Sequence, residues 1–198
     1  MVTDDLLDPI SERILAGALS CFQEVGIQRT TMDDIARAAG VSRITVFRRF
    51  DTKDQLVQIV VLRVMVEVNT LIRAAFLAEK NLERALTAAL MASLRALRDH
   101  PLFAKVVRTE PESFVQSLST DGATVIALVR SSVGEWLGTT GGGPLSDEDA
   151  EFVAETLTRL GISLILTPNG VIPIEDDKRM QAYLARYVVP GIALLAKP

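Results

Sequence analysis

Apolar residues recur along most of this protein at intervals of three and four, the spacing that gathers them on one side of a helix. Ile14, Ala18, Cys21 and Val25, with Leu15 and Phe22 beside them, predict an amphipathic first helix over residues 10–25, its end marked by Gly26. Thr30 or Thr31 can cap a second helix, with Asp33 and Asp34 near the positive end of its dipole and Ile35, Ala36 and Ala39 on its buried side. Gly40 closes that helix and Ser42 caps a third. In the third helix Val46 and Phe50 face the core, while Arg43, Ile44, Thr45, Phe47, Arg48 and Arg49 face outward. Thr52 and Gln55 form a capping box that opens a fourth helix, valine-rich yet spaced as a helix through Leu56, Val60, Val64, Leu71, Ala75 and Ala78. Continued to Glu79, it would be a bar of roughly 35 Å at about 1.5 Å per residue.

Downstream the same spacing predicts helices over 82–100, capped by Asn81, and over 102–109, with a further turn or two over 112–118. Others are expected over 123–137, over 147–166 with Ser146 as cap, and over 175–195 with a kink at Pro190. The Gly-rich stretch from Gly138 and the segment from Thr167 to Pro173 read as loops, and no strand, repeat or low-complexity tract is evident. The last two helices carry broad apolar faces: Phe152, Val153, Leu157, Leu160, Leu164 and Ile165 on one, Met180, Tyr183, Leu184, Tyr187, Val188 and Ile192 on the other.

Composition narrows the class. With 48% hydrophobic and 23% charged residues among 198, and only twelve glycines and eight prolines, the composition is that of an ordinary globular protein. The single Cys21 excludes an internal disulfide and a cysteine-based metal cluster, and its place in an apolar stripe predicts a buried structural thiol. The acidic start has no basic region of a signal peptide, and no apolar run reaches the ~18 residues of a membrane span, so a cytoplasmic protein with no membrane partner is expected. Net charge is −4, which argues against a nonspecific nucleic-acid binder. Charge is local, however: Arg43, Arg48, Arg49 and Lys53 face one acidic residue, Asp51, between Gly40 and Lys53. A positive outer side on a short helix is what entry into a DNA major groove requires.

Residues 10–60 resemble the DNA-binding domain of the tetracycline-repressor (TetR) family. The resemblance rests on F-x-E-x-G at Phe22–Gly26, T-T-x-x-x-I-A at Thr30–Ala36, A-G-V-S at Ala39–Ser42, the aromatic pair Phe47 and Phe50, and T-K-D-x-L at Thr52–Leu56. It implies an all-α fold of about nine helices. Residues 8–68 would form a three-helix helix-turn-helix domain, joined by the long fourth helix to a ligand-binding and dimerisation bundle over 69–198. The implied function is a homodimeric regulator, most simply a repressor, released from a palindromic DNA operator by a small, apolar effector, with no catalytic residue, metal or cofactor.

Carried over residue by residue, the resemblance assigns base edges to Arg43, Ile44, Thr45 and Arg48, and backbone or phosphate contacts to Thr31, Ser42, Phe47, Arg49 and Lys53. Phe47 stands where the family often has a tyrosine, Arg49 where it has histidine or tyrosine, and Ile44 where it has a small residue, so its base preference cannot be borrowed. Met91, Leu94, Phe103, Phe114, Trp136 and Phe152 could line an effector cavity, although residues at such spacing also serve as plain core. Val153, Leu157, Leu160, Leu164, Tyr183, Leu184, Tyr187 and Val188 are expected at a four-helix dimer interface. His100, before Pro101, suits a helix cap or a cation at a helix end. Two other classes compete: a small helical enzyme, which the lack of G-x-S-x-G, metal-ligand cluster or phosphate loop disfavours, and a helical carrier or scaffold whose DNA-binding head is idle.

Overall fold

A computed structural model describes residues 8–112, 115, 127 and 145–195. The elements are α1 (Pro9–Val25), α2 (Met32–Ala39), α3 (Arg43–Arg49), α4 (Lys53–Leu77), α5 (Leu82–Asp99) and α6 (Pro101–Thr109). After the segment outside the description come α7 (Asp147–Leu166), α8 (Asp177–Tyr183), a π turn (Leu184–Val188) and α9 (Val189–Leu195). Among the described residues every regular element is helical. Apart from residue 127, which is helical, the expected helix over 123–137 with Trp136 lies outside the described residues, as do Phe114, most of the turn expected over 112–118 and the Gly-rich loop expected from Gly138.

Helix boundaries follow local capping chemistry. Asp8 caps α1 by accepting the N–H groups of Ile10 and Ser11. Thr31, not Thr30, caps α2 in a reciprocal box with Asp34. Gly40 ends α2 at φ 63°, the left-handed conformation in which a side chain is strained and glycine is not. Ser42 caps α3 through the N–H of Thr45, at 3.1 Å. Thr52 accepts the Gln55 N–H, but Gln55 returns its amide oxygen to the N–H of Asp51, one residue earlier than a regular capping box. At the start of α6, Nδ1 of His100 accepts the Leu102 N–H at 3.2 Å, the cap that its place before Pro101 suggested. Pro190 does not break the last helix. Its missing N–H and bulky ring are absorbed by the π turn just before it, where Val189 N–H reaches back five residues to Leu184 O.

Two compact units make up the protein, with the division inside α4. The first comprises residues up to Val66 together with His100–Phe114, so α6 belongs with the head rather than with the residues after 68 that flank it in sequence. Its core is built from Ile14, Phe22, Ile35, Val46, Phe50 and Leu56, all buried. Polar ties fix the helices around that core: Arg13 of α1 donates to the carbonyls of Ala39 and Gly40 at 2.7 and 2.9 Å, a cation on the negative end of α2. Arg63 of α4 forms a two-pronged pair with Glu12 of α1, and that hydrogen bonding holds the Glu12 carboxyl below its usual range.

The second unit comprises Glu67–Asp99 and the residues from Val115 on. Phe76, Ala85, Leu86, Val153 and Val189 form one buried cluster, and Met91, Leu164, Met180 and Leu184 another. Arg98 of α5 donates to Ile174 O and to Asp177 at the start of α8, and Arg95 donates to the other Asp177 oxygen at 2.7 Å. Arg98 and then Arg95 accordingly keep the Asp177 carboxyl below its ordinary value.

Candidate nucleic-acid interface

The outward side of α3 is built by a short helix that spends only one residue, Val46, on full burial, leaving most of its other side chains directed away from the core. Arg43, Ile44, Phe47 and Arg48 are exposed. Ile44 is 78% exposed, so its side chain is free to meet a partner outside this unit. Arg43 is not idle in the free protein: it pairs with Asp33 of α2 at 3.1 Å, and its guanidinium lies 5.3 Å from the centre of the Phe47 ring. Arg48 has no ion-pair partner among the described residues. Chemically this is a small surface with two guanidinium forks, an aliphatic tip and an aromatic edge. Such forks can donate twice to a guanine edge, and such a tip can meet a thymine methyl.

The flanking residues are less available than the sequence implies. Arg49 is turned into an ion pair with Asp8, both largely covered. Ser11's hydroxyl, and next the N–H groups of Ile10 and Ser11, hold the Asp8 carboxyl below its ordinary range, so Asp8 stays charged and Arg49 stays engaged. The Thr31 hydroxyl accepts the Asp34 N–H and gives its own proton to the Asp34 carboxylate at 2.6 Å, which leaves none for a phosphate while that bond holds. Ser42 and Thr45 hydroxyls bond each other at 2.8 Å. Lys53 sits at the first position of α4, where free backbone N–H groups can receive an anion, and its ammonium rests on Gln28 O at 3.1 Å. Asp8 and Gln28 are partners that helical spacing does not reveal, because they lie 41 and 25 residues from Arg49 and Lys53. Asp33, ten residues from Arg43, signals by its position only a favourable charge at the start of α2.

The apolar residues expected to hold an effector or close a dimer are redistributed. Met91 is buried core and Leu94 packs against the same cluster, whereas Phe103 belongs to the first unit, its ring 5.2 Å from that of His100. Phe152, expected in a cavity, is instead 61% exposed on α7. Of the eight residues expected at a dimer interface, Val153, Leu164 and Leu184 are buried inside the subunit, and Leu157, Leu160, Tyr183 and Val188 pack against the same clusters. Only Tyr187 of that set is open, at 67%. The reason is that α7 and the last helix carry apolar residues on more than one side, and spacing does not tell the inner side from the outer.

Cys21, expected buried, is half-buried and lines an open groove of about 550 Å³ with Glu24, Arg29, Asp34, Arg37 and Lys105. Partial burial and then the Asp34 and Glu24 charges push its thiol up from the ordinary value, away from the reactive thiolate. Among the described residues no helix is long and apolar enough to cross a membrane, and no group of three metal-ligating side chains occurs.

Comparison with known proteins agrees with this geometry. Residues 14–60 match the family model of bacterial regulatory proteins of the tetR family, and residues 81–190 match that of the C-terminal domain of the bacterial tetracyclin repressor. The HTH-type transcriptional regulator AlkX of Mycobacterium tuberculosis is 25% identical over 198 residues, covering 96% of this protein and 84% of its own length. The HTH-type regulator YhgD of Bacillus subtilis is 23% identical over 184 residues, covering 91% and 95%. The crystal structure of the TetR family repressor AlkX from a Dietzia strain, implicated in biodegradation of n-alkanes, shares the fold with a TM-score of 0.72. Its sequence is 21% identical, and the match covers 96% of this protein and 98% of that one.

Proposed function

The protein belongs to the tetR family of bacterial regulatory proteins, its C-terminal match alone spanning more than half of its length, and from that premise we propose that it is a homodimeric repressor whose two α3 helices read the halves of a palindromic operator. The observation that carries this is the outward side of α3, where Arg43, Ile44, Phe47 and Arg48 stand exposed around the buried Val46. Base edges fall to Arg43, Ile44 and Arg48, and Lys53 at the start of α4 supplies a phosphate contact. The Thr45 hydroxyl already shares a bond with Ser42, and Arg49 and Thr31 serve the head's own structure first.

Release follows from a small apolar effector in the second unit. A ligand can dissociate the DNA complex only to the extent that it prefers the conformation DNA does not. Two similar proteins bear the name AlkX and one is described as implicated in biodegradation of n-alkanes, so saturated hydrocarbons and their first oxidation products come first in an effector screen. Catalysis is not part of this reading.

The test is a titration of the purified protein against the intergenic DNA upstream of its own gene and a scrambled control, over a range of salt. Preference for the upstream fragment, with log K falling steeply against log salt, is the expected result. Equal, weak binding to both would refute a specific regulator of its own promoter.

Dimerisation is assigned to the side of α7 and the last helix that stays open in the subunit, bearing Phe152, Tyr187 and Leu194. Tyr187→Glu combined with Leu194→Glu should halve the mass measured by light scattering while the helix content is retained. Leu164→Glu, which forces a charge into the Met91–Leu184 cluster, should instead lower the thermal midpoint. A dimer that survives the double substitution would place the interface elsewhere.

A further inference from the structure

The turn between α1 and α2 is held from two sides through one residue. The backbone N–H of Gln28 donates to Oε1 of Glu110 at 2.9 Å, and the backbone carbonyl of Gln28 accepts from Nζ of Lys53 at 3.1 Å. Glu110 ends α6 and is 8% exposed, an unusual depth for a carboxylate. Its carboxylate lies so close to Gly26, where φ is 96°, that a methyl group at that position would run into it. One turn earlier Lys105 donates to Glu24 O at 2.6 Å, at the end of α1. Within the turn, Thr30 donates to Gly26 O at 2.7 Å. The turn's backbone is therefore fixed, and what fixes it from outside is α6.

Lys53 uses this fixed carbonyl as a rest. An ammonium has three donors, so one bond to Gln28 O leaves two for a phosphate oxygen. A lysine otherwise samples many rotamers and loses that freedom when it binds. Held by a carbonyl whose own residue is tied to Glu110, it loses less.

We propose that Glu110 is a positioning residue for the Lys53 phosphate contact: by anchoring the Gln28 backbone it sets where the Lys53 ammonium stands. This rests on the DNA-binding reading above. A buried carboxylate suits the task because a charge-assisted bond to an N–H is stronger than a neutral one, and burial keeps water from competing for it.

A double-mutant cycle tests it. Affinity and salt slope are measured for the full-length protein, Glu110→Ala, Lys53→Ala and the double variant, on the upstream fragment and on a short duplex of arbitrary sequence. Glu110→Ala should weaken both DNAs alike, by roughly three- to tenfold, and flatten the salt slope by about 1 per head, as Lys53→Ala does. In the Lys53→Ala background, Glu110→Ala should change nothing further. Glu110→Gln keeps an acceptor oxygen without the charge and should fall between, and it carries the cycle if the alanine variant fails to fold.

An undiminished effect of the Glu110 substitution in the Lys53→Ala background, or an unchanged salt slope, would overturn the proposal and leave the DNA-binding reading intact. Absence of salt-dependent binding by the unsubstituted protein would bring down both.

Discussion

Replacing Phe50 by alanine should cost the head about 3–5 kcal/mol of stability, the usual range for emptying a buried phenylalanine site. Phe50 is fully buried at the end of α3, and its N–H donates to Val46 O at 2.8 Å. Its ring joins the core that Val46, Ile35 and Phe22 build beneath the outward side of α3. Natural domains hold only about 5–15 kcal/mol in total. For a unit of this size the loss corresponds to a fall of roughly 12–40 °C in melting midpoint, readable by circular dichroism. Ile44→Ala is the internal control. At 78% exposure it has little to lose, and its midpoint should stay within a few degrees of the parent's. A Phe50 variant that melts with the parent would mean the ring is not part of the core.

The second large effect is on recognition. Arg43→Ala should weaken operator binding by at least about 30-fold, because each lost guanidinium–guanine fork is worth about 1–3 kcal/mol and a dimer loses two. The melting midpoint should hardly move. In the free protein Arg43 holds only an exposed pair with Asp33 and a face of Phe47, and exposed pairs of that kind contribute about 0–1 kcal/mol. The discriminating readout is the ratio between operator and mismatched DNA: that ratio should collapse at one base pair in each half-site. If Arg43→Ala instead weakens every sequence equally and flattens the salt slope, Arg43 contacts phosphate, and the division of roles between Arg43 and Lys53 is wrong.

The two effects separate because the residues responsible occupy opposite ends of α3. Arg43 opens the helix on its exposed side, whereas Phe50 lies just past its end, where extended backbone carries the ring into the core. Both placements were legible from residue type and spacing. Other parts of the candidate site were not. Arg49 sits in the same positive run as Arg48, yet it is taken up by Asp8, the residue that caps α1. Nothing local distinguishes the two arginines; only the return of α3 toward the start of α1 does.

A similar limit governs the apolar helices. Both Leu164 and Tyr187 fall on apolar stripes, and both qualify by spacing for an interface between copies. One is 8% exposed and the other 67%. A stripe reports that a helix buries something, not whether the covering surface comes from the same subunit or another, because the hydrophobic effect has no direction of its own.

Leaving Thr30 or Thr31 as the cap of α2 and cap or cation for His100 undecided, the sequence by itself determined the local frame: helices α1 to α3, the Ser42 cap, the stop at Gly40 and the exposure of Arg43, Ile44, Phe47 and Arg48 on α3. Each depends on groups within about four residues of one another, the reach of a helical turn, so residue type and spacing suffice. The tertiary structure decided what depends on distant partners: α6 joining the head, Asp33 steering Arg43, Asp8 engaging Arg49, and Glu110 and Lys53 meeting at Gln28 from sequence separations of 82 and 25. Those pairings form only when the whole core closes, since a charged group finds a far partner through the packing of the helices that carry it and not through its neighbours in sequence.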